Sequence, residues 1–293
     1  MPSTYEIVTE AIVKQLESGV VPWRKPWRTG MPANLVSRKE YRGINIFLLG
    51  VQGYGSRYWL SYRQAQALGG NVMKGERGSK AVFWRIGEYQ KENAETAEIE
   101  THKSILLRYY TIFNLEQCEG IKSPEPVPTI HPIGECEHIV NSMPNPPGFE
   151  QLAQACYRPS TDSVGMPARS AFESGEAYYS TLFHELTHST GHPSRLARDG
   201  IMQHNPFGSE DYSKEELVAE MGAAMLCGVA GIESQTLGNS AAYLQSWVSR
   251  LRSDSRLVVW AASQAQKAAD YILGRTVSET KSGPEGGIDS EAL

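Results

Sequence analysis

Residues His184-Glu185-Leu186-Thr187-His188 constrain the fold more than any other string in the chain. Two histidines four apart can grip one ion only from the same side of a helix, where about 3.6 residues per turn bring them into line. The surrounding pattern agrees, since helical periodicity runs from Glu176 through Thr190. Glu185, beside the first histidine, is turned so that its carboxylate would reach water at the ion and take its proton. The reaction class this implies is peptide-bond hydrolysis, with zinc as the expected cofactor. Manganese or another divalent transition metal would suit the same donors.

A catalytic zinc needs a third protein ligand and one open position. Downstream candidates are His192, His204, Glu210, Asp211, Glu215, Glu216 and Glu220. In the pattern HExxHxxGxxH the glycine is matched by Gly191, but Ser194 stands where the third histidine belongs. Glu216 reads as a helix start, because Ser213-Lys214-Glu215-Glu216 has the form of a capping box. Glu220 lies in mid-helix among apolar residues from Leu217 to Leu226, where an unpartnered carboxylate would cost several kcal/mol. The expected ligands are therefore His184, His188 and Glu220, a gluzincin-type set with its last member on a following helix. Tyr178, Tyr179 and His192 are open candidates for the donor that steadies a developing oxyanion.

Charge divides the chain. Residues 1–117 hold 16 Lys and Arg against 11 Asp and Glu, while the remainder carries 12 against 22. Within residues 20–86 the cations number 12 against Glu40 and Glu76, and ten of the 27 aromatics share that window. Trp23, Arg24, Lys25, Trp27, Arg28, Arg42, Arg57, Trp59, Tyr62, Arg63, Lys74, Arg77 and Lys80 are the expected contacts to single-stranded DNA, cations along phosphates and rings on bases. Helix-turn-helix, zinc-finger and basic-zipper patterns are missing, which favours single strands over groove reading. The same rings would also serve as the core of a small domain with the cations as its solvated face. A phosphate-loop reading of Gly70 to Ser79 fails because Glu76 occupies the lysine position of GxxxxGK[ST].

At 293 residues the expected architecture is α+β in two domains. Residues 1–123 form the DNA-binding domain, 124–132 a proline-rich linker, 133–275 a mainly helical zincin-like domain and 276–293 a disordered tail. Ser3 and Glu6 cap an N-terminal helix over 3–18, expected to pack on the first domain. A short helix, Gln64 to Leu68, is stopped by Gly69-Gly70. Lys80–Ile86 and Ile105–Phe113 read as paired strands joined by a loop from Gly87 to Lys103. Gly134–Met143, Glu176–Thr190, Lys214–Val229 and two stretches across Ala241–Leu273 read as helices. The amino terminus lacks the charge and apolar run of a secretory signal, no membrane span is expected, and four scattered cysteines fit a cytoplasmic location.

Tyr41-Arg42-Gly43-Ile44-Asn45, Trp59-Leu60-Ser61-Tyr62-Arg63-Gln64-Ala65, Leu68-Gly69-Gly70, Lys74-Gly75-Glu76-Arg77-Gly78 and Phe113-Asn114 resemble the amino-terminal domain of ArdC-type antirestriction proteins. The string Tyr178 to His188 and the later Glu215-Glu216-Leu217-Val218-Ala219-Glu220 resemble the zincin-like metallopeptidase domain of the same family. The resemblance implies a conjugative-plasmid protein that binds incoming single-stranded DNA and protects it from host restriction. It also implies zinc, with His184, His188 and Glu220 at the ligand positions and Glu185 at the catalytic one. Two readings follow. The chain cleaves a protein held on the DNA, a restriction component being one such substrate, or it shields DNA without proteolysis around a structural metal.

Overall fold

In the computed structural model, residues 2–24, 30–92, 99–124, 132–199, 201, 210–233 and 241–275 are described. Helix α1 (Thr4–Glu17) opens on the expected box: Ser3 Oγ accepts from the Glu6 amide, and the Glu6 carboxylate accepts from the Ser3 amide. There follow β1 (Ala33–Asn34), α2 (Ile44–Gly50), β2 (Tyr58–Leu60), α3 (Tyr62–Ala67), β3 (Asn71–Val72), β4 (Ser79–Glu92), β5 (Ile99–Asn114) and β6 (Cys118–Glu119). The second half comprises α4 (Pro132–Ser142), β7 (Gly148–Gln151), β8 (Cys156–Arg158), β9 (Ser163–Met166), α5 (Gly175–Ser189), α6 (Glu210–Ala230), α7 (Ala241–Ser253) and α8 (Leu257–Ile272). Residues Lys25, Trp27 and Arg28 and the stretch 276–293 lie outside the described residues.

The first sheet has strand order β1-β2-β5-β4, and β3 pairs separately with β6. Side chains alternate between faces along each strand, and residues opposite one another share a face. The register Ala81↔Tyr110 and Trp59↔Asn114 therefore puts Trp59, Ala81 and Ile112 on one face, where they close with Leu49 of α2 into a buried cluster. The hairpin is longer than its apolar stretch suggests. Pairing continues to Glu92↔Ile99, so most of the expected Gly87–Lys103 loop is strand. Polar residues there hide the period, because a two-stranded ribbon needs no buried face to keep its backbone hydrogen bonds.

Three further expectations change. The apolar face of α1, with Val8, Ile12, Val13 and Leu16 buried, lies mainly against α7 of the second half. A three-stranded sheet, β7-β9-β8, precedes α5, its strands too short and too proline-bounded to register as periodic. Helix α6 starts at Glu210, a turn before the expected Lys214, so Ser213 and Glu216 are interior residues and not a cap. The two halves also share one core, running from Val8, Trp23 and Phe47 to Phe183, Leu226 and Ile272.

Helix α6 packs on α5, with Gly222 against Thr187. A Cβ on Gly222 would stand 2.5 Å from Thr187 Cγ2 and 2.8 Å from its Oγ1. Thr187 is fully buried and its hydroxyl donates to Phe183 O at 2.7 Å, so it has no free rotamer to yield. Gly222→Ala should lose about 1–3 kcal/mol of stability by urea denaturation, although alanine is the better helix former by about 1 kcal/mol. An unchanged or raised midpoint would show that the helices do not meet there.

Candidate metal centre

Ser174 caps α5 by accepting from the Ala177 amide, and the helix buries most of its residues from Ala177 to Ser189. His184 and Glu185 are each 7% exposed. The two imidazoles meet edge to face, with His184 Nε2 3.1 Å from His188 Nε2. Glu216 of α6 completes the group: its Oε2 is 3.6 Å from His184 Nε2 and its Oε1 3.5 Å from His188 Nε2. Among the described residues, one ligand atom each from His184, His188 and Glu216 lie mutually within 4.8 Å.

A second layer holds this arrangement. Glu215 Oε1 lies 3.3 Å from His188 Nδ1, which leaves Nε2 turned toward Glu216. The guanidinium of Arg198, almost wholly buried, grips both oxygens of Glu215 and also donates to Thr190 Oγ1 and Thr187 O. Burial alone would push His188 toward its neutral form. The hydrogen bond to Glu215 and the charges of Glu216 and Glu185 override it and lift the ring to about 9. Burial would likewise raise Glu215, but His188 and Arg198 outweigh it and hold that carboxyl below its ordinary range. A carboxylate fixing Nδ1 while Nε2 faces the ion site is the usual way a protein orients a ligating histidine. Two imidazoles and a carboxylate of this kind suit zinc, manganese and neighbouring divalent ions.

Glu220, the expected third ligand, has other partners. It lies one turn beyond Glu216 on the same side of α6, 5% exposed, and its Oε2 accepts from Trp23 Nε1 at 2.5 Å and from the Tyr243 hydroxyl. Burial lifts its carboxyl above the usual range, offset only in part by Tyr243, Trp23 and the nearby His184. The cost of burying a mid-helix carboxylate is met here by two hydrogen-bond donors, and it is Glu216 that the structure brings to the histidine pair. The spacing of Glu216 and Glu220 held the signal, since both project from one side of a helix once its start moves back to Glu210. Arg198 carries no sequence signal for its role.

The oxyanion candidates are engaged elsewhere. Tyr179 is buried with its hydroxyl between Arg169 and Glu137, and the Tyr178 ring packs against Phe172 and Arg169. His192 Nδ1 is 2.8 Å from Ser194 Oγ. Of the expected DNA contacts, Trp23 and Trp59 are 0% and 2% exposed and belong to the core, so neither offers a face to a base. Arg24 is half-buried. Arg42 pairs with Asp270 of α8, and Arg57 is mostly buried against Glu40. Tyr62, Arg63, Lys74, Arg77 and Lys80 are exposed. No helix among the described residues is long and apolar enough to cross a membrane.

Comparison with known proteins agrees with both halves. Residues 2–113 match the N-terminal domain of anti-restriction factor ArdC, and residues 148–264 match a zincin-like metallopeptidase family. The protein y4eC of Sinorhizobium fredii (strain NBRC 101917 / NGR234) is 37% identical over 92% of this chain and 91% of its own. Two Escherichia coli proteins named DNA primase TraC are 37% and 36% identical over 92% of this chain, which spans 27% and 20% of their lengths. Crystal structures of the antirestriction protein ArdC from plasmid R388 share 37% identity. The metal-free form has a TM-score of 0.71, covering 92% of this chain and 96% of that one. The Mn(II)-bound form has a TM-score of 0.72, covering 92% and 97%. The chain thus belongs to the ArdC family of antirestriction proteins, an ArdC-type N-terminal domain joined to a zincin-like metallopeptidase domain.

Proposed function

We propose that the chain protects incoming DNA from restriction by binding it as a single strand and hydrolysing protein associated with it, at a divalent metal site formed by His184, His188 and Glu216. The observation that carries this reading is the convergence of two histidine Nε2 atoms and one carboxylate beside Glu185, with Glu215 and Arg198 behind them. Zinc or manganese fits the donor set, and a Mn(II)-bound structure exists for the R388 relative. When bound, the metal supplies Lewis acidity toward a peptide carbonyl and toward water. Glu185 takes a proton from the attacking water and returns it to the departing amine nitrogen. Glu215 keeps His188 turned to the site, and Arg198 keeps Glu215 in place.

The test is hydrolysis of a protein held on an oligothymidine. Fragments are expected with the metal-loaded chain, their loss with a chelator, and their return on adding zinc or manganese. Cleavage indifferent to the chelator would remove the metal from the chemistry.

A further inference from the structure

We propose that single-stranded DNA lies across the open face of the β1-β2-β5-β4 sheet, with Tyr62 and Tyr109 as its stacking rings and Lys80, Arg63, Lys74 and Arg77 as its phosphate contacts. This rests on the reading that the N-terminal half binds single strands.

The strand period assembles the surface. Lys80↔Thr111, Val82↔Tyr109 and Leu60↔Phe113 are opposite pairs, so Tyr109, Thr111 and Phe113 share the face that points away from α2, with Lys80 among them. Tyr109 is 43% exposed, and Lys80 Nζ sits 4.9 Å above its ring. Tyr62, at the start of α3, is 46% exposed and meets Phe113 edge to face at 6.5 Å. Toward β4's far end the face closes, where Trp84 packs on Tyr5 of α1 and Val82 and Leu107 are buried. The opposite face of the sheet is covered by α2. What stays open is a short platform with an aromatic ring at each end.

Cations border the platform. Arg63 follows Tyr62 on α3, and the turn carrying Lys74 and Arg77 is drawn in by Gly78. A Cβ there would stand 2.3 Å from Thr111 Cγ2 and 3.1 Å from Phe113 Cε1, so only glycine lets the turn rest on this face. Buried Gln117 fixes the turn from below, its amide donating to Glu76 Oε2 at 2.7 Å and to Arg77 O at 2.9 Å. The one acidic side chain of the turn is therefore engaged by the protein. Rings that stack without base preference, edged by cations, match a flexible polyanion with unpaired bases.

The experiment measures fluorescence anisotropy of a labelled oligothymidine with the full-length chain. Tyr62→Ala with Tyr109→Ala is expected to weaken binding at least about 30-fold. Lys80→Gln should make the log-log salt slope shallower by about 0.7. All three side chains are exposed, and an unchanged melting temperature confirms folding. Photocrosslinks from an iododeoxyuridine oligonucleotide are expected at Tyr62 and Tyr109. A parent chain that binds while the double variant matches it, or crosslinks confined to residues 22–28, would overturn the platform and leave single-strand binding standing. A parent chain with no affinity for the oligonucleotide would overturn both.

Discussion

Replacing Glu185 by glutamine is expected to leave metal content and oligothymidine affinity as in the parent while peptide hydrolysis falls by about 10²- to 10⁴-fold. Glutamine has nearly the shape of glutamate, so packing at a position 7% exposed survives the change. What is lost is the proton acceptor, because an amide cannot take a proton from water near neutral pH. Glu185 stands next to His184 on α5, and its charge contributes to the raised proton affinity of His188. The measurement is initial rates on protein bound to DNA, with metal content determined on the same preparation. The same variant decides between the two readings of antirestriction. If DNA transferred into a restricting host survives as well with Glu185→Gln as with the parent, the chain acts by shielding, and hydrolysis is not what protects.

How much of this site can be read from residues alone depends on which physical rule governs each. His184, Glu185 and His188 were readable because one rule, helical periodicity, places all three. Glu216 obeys the same rule but is masked by a second pattern: Ser213 to Glu216 imitates a capping box although the helix already runs from Glu210. Composition cannot separate the two, since the outcome depends on where the backbone enters the helix. Trp23 and Trp59 illustrate a different limit. Aromatic residues among cations suit either a core or a stacking surface, and the choice is made by tertiary contacts: Trp23 with Glu220 and Trp247, Trp59 with Tyr54 and the α2 face. The paired strands were legible from their apolar ends, whereas the ribbon beyond Ile86 is held by backbone pairing that leaves no hydrophobic trace. The shared core of the two halves likewise has no local signal, because it joins residues as distant in sequence as Val8 and Ile272.

The two carboxylates of α6 are expected to separate cleanly on substitution. Glu216→Ala removes a donor from the ion site and should weaken metal binding by more than the roughly 10- to 100-fold typical of an outer-shell change. Its side chain is 21% exposed, so the loss of stability in the metal-free chain should be smaller than for the more deeply buried Glu220. Glu220→Ala should do the reverse. It removes the acceptor of the buried Trp23 N–H and of the Tyr243 hydroxyl and opens a cavity, for an expected loss of about 2–5 kcal/mol, a large part of the total stability of a folded protein. Trp23→Phe removes one donor and should cost about 1.5–3 kcal/mol. Trp23 also packs edge to face on Trp247 at 6.1 Å, inside a core that runs through both halves. Loss of its hydrogen bond should therefore shift the unfolding of both halves together and not release the N-terminal one alone. Chemical denaturation followed by far-ultraviolet circular dichroism, beside metal titration of each variant, checks all three. Should Glu220→Ala lose the metal at parental stability while Glu216→Ala keeps it, the ligand roles assigned to the two residues are reversed.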